Sequence, residues 1–239
     1  MHPSSVADLL PDLPRWVEIR GMLLANHAAV FGLSLDPSPA FVVARPETGL
    51  IGVAGTPPAE CIHQAIGQAQ REVSLLAAPE SRAWVAAALP GWVSQRAALH
   101  VLTDPGRLPA DTDPVRLIGV LEIGALDTLP QSLRRELLID AEAGAAIAAA
   151  WVDGHPVSFC YPGSVTERWW DISIDTLEPY RRQGHAARCV AFQVARMRAL
   201  GQEPVWGAVD SNPASACLAA KLGFERMDEI FVFSAPGGS

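Results

Sequence analysis

The run Arg181-Arg182-Gln183-Gly184-His185-Ala186 has the residue types needed to hold a phosphate. An alternating, strand-like segment, Asp171-Ile172-Ser173-Ile174-Asp175-Thr176, precedes it, and a helical pattern from about His185 to Leu200 follows. At a helix start the first N–H groups lack intrahelical acceptors, and the helix dipole favours an anion there. Gly184 permits close backbone approach, and the small side chains of Ala186 and Ala187 leave the helix start uncrowded. The amides of Gln183, Gly184, His185, Ala186 and Ala187 are therefore the expected cradle. Arg181 and Arg182 add positive charge locally in a chain of net charge -8. The ligand this predicts is a pyrophosphate-bearing cofactor; solvated surface arginines are the plain alternative.

Three carboxylates stand next to this turn. Asp171, Ser173 and Asp175 share one face of the strand, Ile172, Ile174 and Thr176 the other, and Glu178 follows. Paired carboxylates in a cleft raise one another's pKa and bind cations; on an open strand they only face solvent. Trp151, Trp169, Trp170 and Trp206 cluster around the same segment and read as core or sheet-edge residues. Tyr180 reads as a packing residue. Residues 161–168 read as a loop beside the expected cleft, a place for substrate selectivity.

The elements positioning these residues fall into two halves, 1–114 and 115–239, separated by the Pro/Asp-rich stretch 104–114. In the first half the pattern predicts a helix over 15–31, strands at 41–44 and 50–54, a helix over 59–70, a strand at 73–77, a helix near 81–89 and a strand at 98–102. In the second half it predicts a strand at 115–122, a helix from Pro130 to about Ala143, and a hairpin of 147–152 and 157–161 around Asp153-Gly154. A strand at 169–176, the helix 185–200 ended by Gly201, a strand at 205–209, a helix from Asn212-Pro213 to Leu222 and strand segments at 224–226 and 230–234 complete it. The fold class is α/β with mixed α+β character.

Composition narrows the function. The chain has 239 residues, 49% of them hydrophobic, ample for a buried core. Its acidic balance argues against a general nucleic-acid or anionic-membrane binder. Lys221 is the one lysine among 18 basic residues, a mark of coding bias as much as of chemistry. Cys61, Cys160, Cys189 and Cys217 lie far apart, without a C-x-x-C pair or histidines at zinc-ligand spacing, so reduced thiols in a cytoplasmic protein and no metal are expected. The N-terminal residues lack the basic and apolar regions of a secretory signal, and no run of ~18 apolar residues predicts a membrane span.

The order of elements in the second half resembles the GNAT superfamily of acyl-CoA N-acyltransferases. Arg181-x-x-Gly184-x-Ala186 is similar to the family's Gln/Arg-x-x-Gly-x-Gly/Ala cofactor motif. That motif is weak alone but here follows a strand and opens a helix. Asn212-x-x-Ser215 and then Lys221-Leu222-Gly223-Phe224 resemble the family's closing helix and its exit. The resemblance covers about 115–234 and implies a mixed central sheet flanked by helices. It implies coenzyme A, as acetyl-CoA, bound along the strand end at Thr176 and Leu177, at the turn 181–187, and beside Asn212 and Ser215. A main-chain N–H near 176–178 would meet the thioester carbonyl.

The activity implied is N-acetyl transfer to an amine, small molecule or protein, by direct attack in a ternary complex. Asp171, Asp175 and Glu178 are then the candidate bases, with a base acting through water as the other route. Where many relatives carry a tyrosine as general acid, this chain has Ala219. That departure keeps open a second reading, a module that binds acyl-CoA and controls a partner without turnover. The first half carries no copy of the cofactor motif; it reads either as a degenerate lobe of similar topology or as an unrelated α/β cap.

Overall fold

The structure is a computed structural model describing residues 2–25 and 27–237. In the first half come helices α1 (Pro3–Ala7) and α2 (Val17–Leu24) and strands β1 (Ala29–Ser34), β2 (Ala40–Arg45) and β3 (Leu50–Ala54). Helix α3 (Ala59–Gln68), strand β4 (Ser74–Ala77), helix α4 (Arg82–Ala88) and strand β5 (Val93–Leu102) follow. In the second half β6 (Val115–Ile118), α5 (Val120–Gly124) and α6 (Gln131–Glu142) precede β7 (Ile147–Val152), β8 (His155–Val165) and β9 (Trp169–Thr176). Helix α7 (His185–Arg198), strand β10 (Glu203–Val209), helix α8 (Pro213–Lys221) and strand β11 (Phe224–Ser234) complete the chain.

All these strands form one mixed sheet, ordered β1-β2-β3-β4-β11-β5-β10-β9-β8-β7-β6. Its centre is an exchange. β11 of the second half pairs with β4 of the first, and β5 of the first pairs with β10 of the second, while β5 and β11 pair with each other, all antiparallel. Reading outward, β11-β4-β3-β2-β1 and β5-β10-β9-β8-β7 have the same pairing senses: antiparallel, parallel, antiparallel, antiparallel. Both halves put a helix between the parallel strands, as parallel connections require.

Each face buries apolar stripes. Cys189, Val190, Val194 and Met197 of α7 pack with Trp170, Ile172, Trp206 and Phe224, and Ile62 and Val85 of α3 and α4 pack with Val53, Leu75 and Phe233. The other face carries α1 and α2 over Phe41 and Val43, and α6 over Phe159 and Tyr161. Trp206 and Phe224 meet edge-on, centroids 5.3 Å apart, an arrangement worth about 0.5–1.5 kcal/mol beyond area burial. Among the described residues no helix is long and apolar enough to cross a membrane.

Several sequence expectations need correction. The helix drawn over 15–31 ends at Leu24, and β1 begins at Ala29: the sequence pattern carries that helix through the apolar residues 29–31, but they pair with β2 instead. The strand drawn over 115–122 stops at Ile118 and turns into the short α5, where Leu121 stands 91% exposed. The supposed loop 161–168 is strand as far as Val165, because β9 continues the ladder, and the last strand is a single β11 with an irregularity between Arg226 and Asp228.

The exchange predicts that residues 115–239 do not fold alone. That fragment lacks β4 and β5, leaves β11 with no neighbour and β10 with only its short pairing to β9, and bares Phe231 and Phe233, which pack in the first half's core. It should be unfolded or aggregated by circular dichroism and size exclusion, and co-expression with 1–114 should restore a soluble complex. A folded, monomeric fragment would contradict this.

Candidate functional site

β9 and β10 pair only at Trp169–Asp171 against Glu203–Val205. Beyond that point β10 stays with β5 and β9 stays with β8, so the two parallel strands part. The Leu177 N–H donates to the Val157 carbonyl at 2.9 Å on the β8 side. Alternation along the strand then turns the N–H groups of Thr176, Ile174 and Ile172 toward the gap. Pro162 sits opposite Ile172, where the ladder asks no N–H of it.

The gap leads to the turn 181–187. Arg181 Nε donates to the Thr176 carbonyl at 3.2 Å and Gln183 Nε2 to the Pro179 carbonyl at 3.1 Å, which ties the turn to the strand end. Arg182 (φ +63°) and Gly184 (φ +87°) are both left-handed, the kind of backbone that fans amides into an anion-binding concavity. A Cβ at Gly184 would meet nothing within 4 Å, so its backbone is open to an approaching group. The Arg188 N–H is the first to reach an acceptor of its own helix, Gly184 O at 3.2 Å, which leaves those of His185, Ala186 and Ala187 to point outward.

His185 is 8% exposed and turns inward against Tyr180, with neither ring nitrogen partnered among the described residues. Burial first, then the Arg188 charge, pulls its pKa down, so the ring is neutral and the residue offers the turn its amide. At the start of α8, Asn212 Oδ1 accepts the Ser215 N–H at 3.1 Å, a helix cap. Ser215 Oγ accepts from Trp206 Nε1 at 2.9 Å. Ala219 lies in the core behind them, fully buried.

Two chambers meet on the other face of the sheet. The first, about 270 Å³, is lined by Gly207, Asn212 and Ser215 and by apolar side chains such as Leu76 and Ile230. The second, about 310 Å³, extends beneath α6 to Glu136 and Asp140. Both are lined by Asp171 of β9 and Glu18 of α2. Burial pushes the Asp171 carboxyl up to about 7; burial and the neighbouring Asp171 charge push Glu18 up to about 8. The two titrate as a pair, sharing protons near neutral pH. Gly163 and Gly207 flank Asp171: a Cβ at either would lie 3.4 Å and 3.9 Å from its carboxylate oxygens.

Helix α2 is held in place by contacts with the second half. Gly21 lets it sit directly on β8, where a Cβ would come within 2.8 Å of Ser164 Cβ. Arg20 is 7% exposed, forks onto Glu167 at 2.8 and 2.6 Å and also donates to the carbonyls of Ala7 and Leu10. Asp12 accepts from Thr166 Oγ1 at 2.7 Å and from the Arg168 N–H at 3.0 Å.

Of the three carboxylates expected from the sequence, Asp171 lines both chambers. Asp175 follows on the same strand face, its pKa raised by burial and by Glu136. Glu178 stands exposed on the turn after β9 and lines neither chamber, because the chain leaves the sheet at Leu177. The sequence reading missed Glu18, Arg45, Arg71, Glu136 and Asp140. Tyr161 Oη donates to Glu136 Oε1 at 2.7 Å. Burial, then Glu136, pushes Asp140 up to about 6. Glu18 did leave a trace: a carboxylate between Val17 and Ile19 in a helix buried nearly all round, with no cation one turn on.

Residues 144–233 match the family profile for GNAT acetyltransferases. This match lies within the second half and supports a GNAT-superfamily domain there, with an acyltransferase role. The fold is shared with a GCN5-related N-acetyltransferase-like protein from Streptococcus suis at 21% identity and TM-score 0.73, covering 98% of each chain. It is also shared with a GCN5-related N-acetyltransferase from Kribbella flavida at 16% identity and TM-score 0.58, covering 94% of this chain and 95% of that one. A tandem GNAT protein from the clavulanic acid biosynthesis pathway aligns at 14% identity and TM-score 0.52, covering 93% of this chain and 88% of that one. No curated protein sequence matches significantly.

The raised pair makes stability depend on pH. Unfolded, the Glu18 carboxyl ionises near ~4.3; folded, it holds its proton to about 8. Across that window the folded chain binds more protons, so this group's contribution to stability falls as pH rises. Glu18→Gln should therefore raise the melting temperature far more at pH 9 than at pH 5. An equal effect at both pH values would contradict the assignment.

Proposed function

We propose that the protein transfers an acetyl group from acetyl-CoA to an amine by direct attack in a ternary complex. The observation that carries this is the parting of β9 and β10 beyond Asp171, with that carboxylate at the closed end and the turn 181–187 following β9. In this reading the amides of Gln183 to Ala187, with Arg181 and Arg182, hold the pyrophosphate. The exposed edge of β9 to Thr176 and Leu177 pairs with the pantetheine arm, and Asn212 and Ser215 border its far side. Bound acetyl-CoA supplies an activated thioester carbonyl. The outward N–H groups of Ile172 and Ile174, nearest Asp171 along β9, are the donors placed for an oxyanion beside that carboxylate.

Asp171 is the proposed base. A carboxyl near 7 is half ionised at neutral pH, so its ionised form can take the proton that the attacking nitrogen becomes acidic enough to lose as it bonds to the carbonyl carbon. Burial is what raises that pKa, and the cluster of Asp175 with Glu136 and Asp140 makes the approach favour cations. Glu178 lies too far out for this role in the arrangement seen.

A second reading, binding without turnover, draws on Ala219: its methyl group is buried in the core and offers no hydroxyl to a leaving thiolate. We also propose that the first half is a degenerate lobe of the same topology. Its pairing senses match, yet β3 and β4 stay paired from Leu50–Ser74 to Val53–Ala77, and the turn before α3 contains Pro57 and Pro58, which have no N–H. One cofactor site per chain follows, and reduced thiols fit the proposed cytoplasmic location.

Thiol release from acetyl-CoA with a panel of amines separates the readings: turnover supports the enzyme, and tight binding without release the sensor. Gly184→Glu should abolish acetyl-CoA binding in calorimetry, because a side chain at φ +87° strains the turn and its charge repels phosphate; unchanged affinity would remove the turn as the site. Asp171→Asn should lower kcat about 100-fold or more and abolish the rising limb of the pH–rate profile near 7, leaving acetyl-CoA affinity intact. An unaltered profile would exclude Asp171 as the base.

A further inference from the structure

The second chamber contains opposite charges in one small space. Glu18 and Asp171 lie where it meets the first chamber, whereas Arg45 and Arg71 line the second chamber only. Arg71 comes from the turn between α3 and β4, and its Nη2 is buried with no hydrogen-bond partner among the described residues. Arg45 donates through Nε to Glu47 Oε1 at 3.0 Å, an interaction that uses one edge of its guanidinium. Both arginines pull the pKa of Asp140 down against burial, so their charges act inside the chamber.

A planar carboxylate is the group whose geometry matches a guanidinium fork, and two arginines line this chamber. A purely cationic acceptor would meet two like charges here, and a purely anionic one would meet Glu18, Asp171, Glu136 and Asp140. A molecule with both charges satisfies both sets. The volume, about 310 Å³, lies at the small end of ligand sites, which run roughly 300–1,000 Å³.

We propose that this chamber takes an amino-acid-like acceptor, with Arg71 binding its carboxylate, assisted by Arg45, and its amine turned toward Asp171. The inference rests on the transferase reading for the fate of that amine, but not for binding. Glu18, Arg45 and Arg71 all come from the first half, so the half without a cofactor turn selects the acceptor.

The test is calorimetry on the full chain with matched pairs: lysine and cadaverine, phenylalanine and phenethylamine, alanine and ethylamine, plus the methyl ester of each amino acid. At least one amino acid should bind at least tenfold more tightly than its decarboxylated or esterified partner. Arg71→Ala and Arg71→Gln, checked for intact melting transitions, should reduce that preference at least tenfold, and Arg71→Lys should restore part of it. Equal binding within every pair, no binding by any amino acid, or a preference that survives both variants would overturn the proposal. Thiol release is scored separately: amino-acid binding that depends on Arg71 without release would leave this inference standing and remove the transferase reading.

Discussion

The exchange of β5 and β11 at the middle of the sheet is the constraint on which the rest of the molecule depends. Each half's last strand completes the other half, so neither can close its core alone, and the two are fixed in relative position to the precision of a hydrogen-bonded ladder. Helix α2, sequentially remote from β9, is thereby delivered to the far side of the sheet and packs on β8 and β9 as well as on β2 and β3. From there Glu18 reaches Asp171. Arg15 adds a second tie, forking onto Asp228 of β11 with both contacts at 2.7 Å.

Bringing two carboxylates together in a poorly hydrated space is unfavourable, and the surrounding contacts show how it is sustained. Gly21 permits close contact between α2 and β8, and the buried Arg20 fork and the Asp12 bonds to the 166–168 turn hold the helix down. Such charge-assisted bonds exceed neutral ones in strength, and breaking a buried one leaves an uncompensated charge. The pair responds by taking up a proton instead of separating. A strained electrostatic site inside a rigid frame is the usual signature of function, since nothing about packing requires the charges.

Local features were the legible ones. The turn 181–187 could be read because a glycine, two arginines and a helix start lie in consecutive residues, and the two faces of β9 because side chains alternate strictly along a strand. Helices α3, α6, α7 and α8 lie close to their expected positions for the same reason. Boundaries failed where tertiary pairing overrode pattern: 29–34 became an edge strand instead of the end of a helix, and 162–165 stayed in the ladder because β9 was there to pair with. Glu18, Arg45 and Arg71 were beyond reach because their meaning is long-range. Each is an ordinary charged residue until the exchange sets it opposite Asp171 or Asp140.

The two halves share a strand scheme but differ at a few positions. In the second half the parallel strands part after Asp171 and the following turn presents amides; in the first, β3 and β4 remain paired and the turn presents prolines. Keeping the first pair closed has a mechanical consequence. A splay in both halves would weaken the sheet on each side of the exchanged strands. With β3 and β4 zipped, that side is stiff, and side chains projecting from it, Arg45 from β2 and Arg71 from the turn into β4, stand on fixed supports. A closed β3–β4 pair and a rigid wall for the other half's chamber are thus the same structural feature.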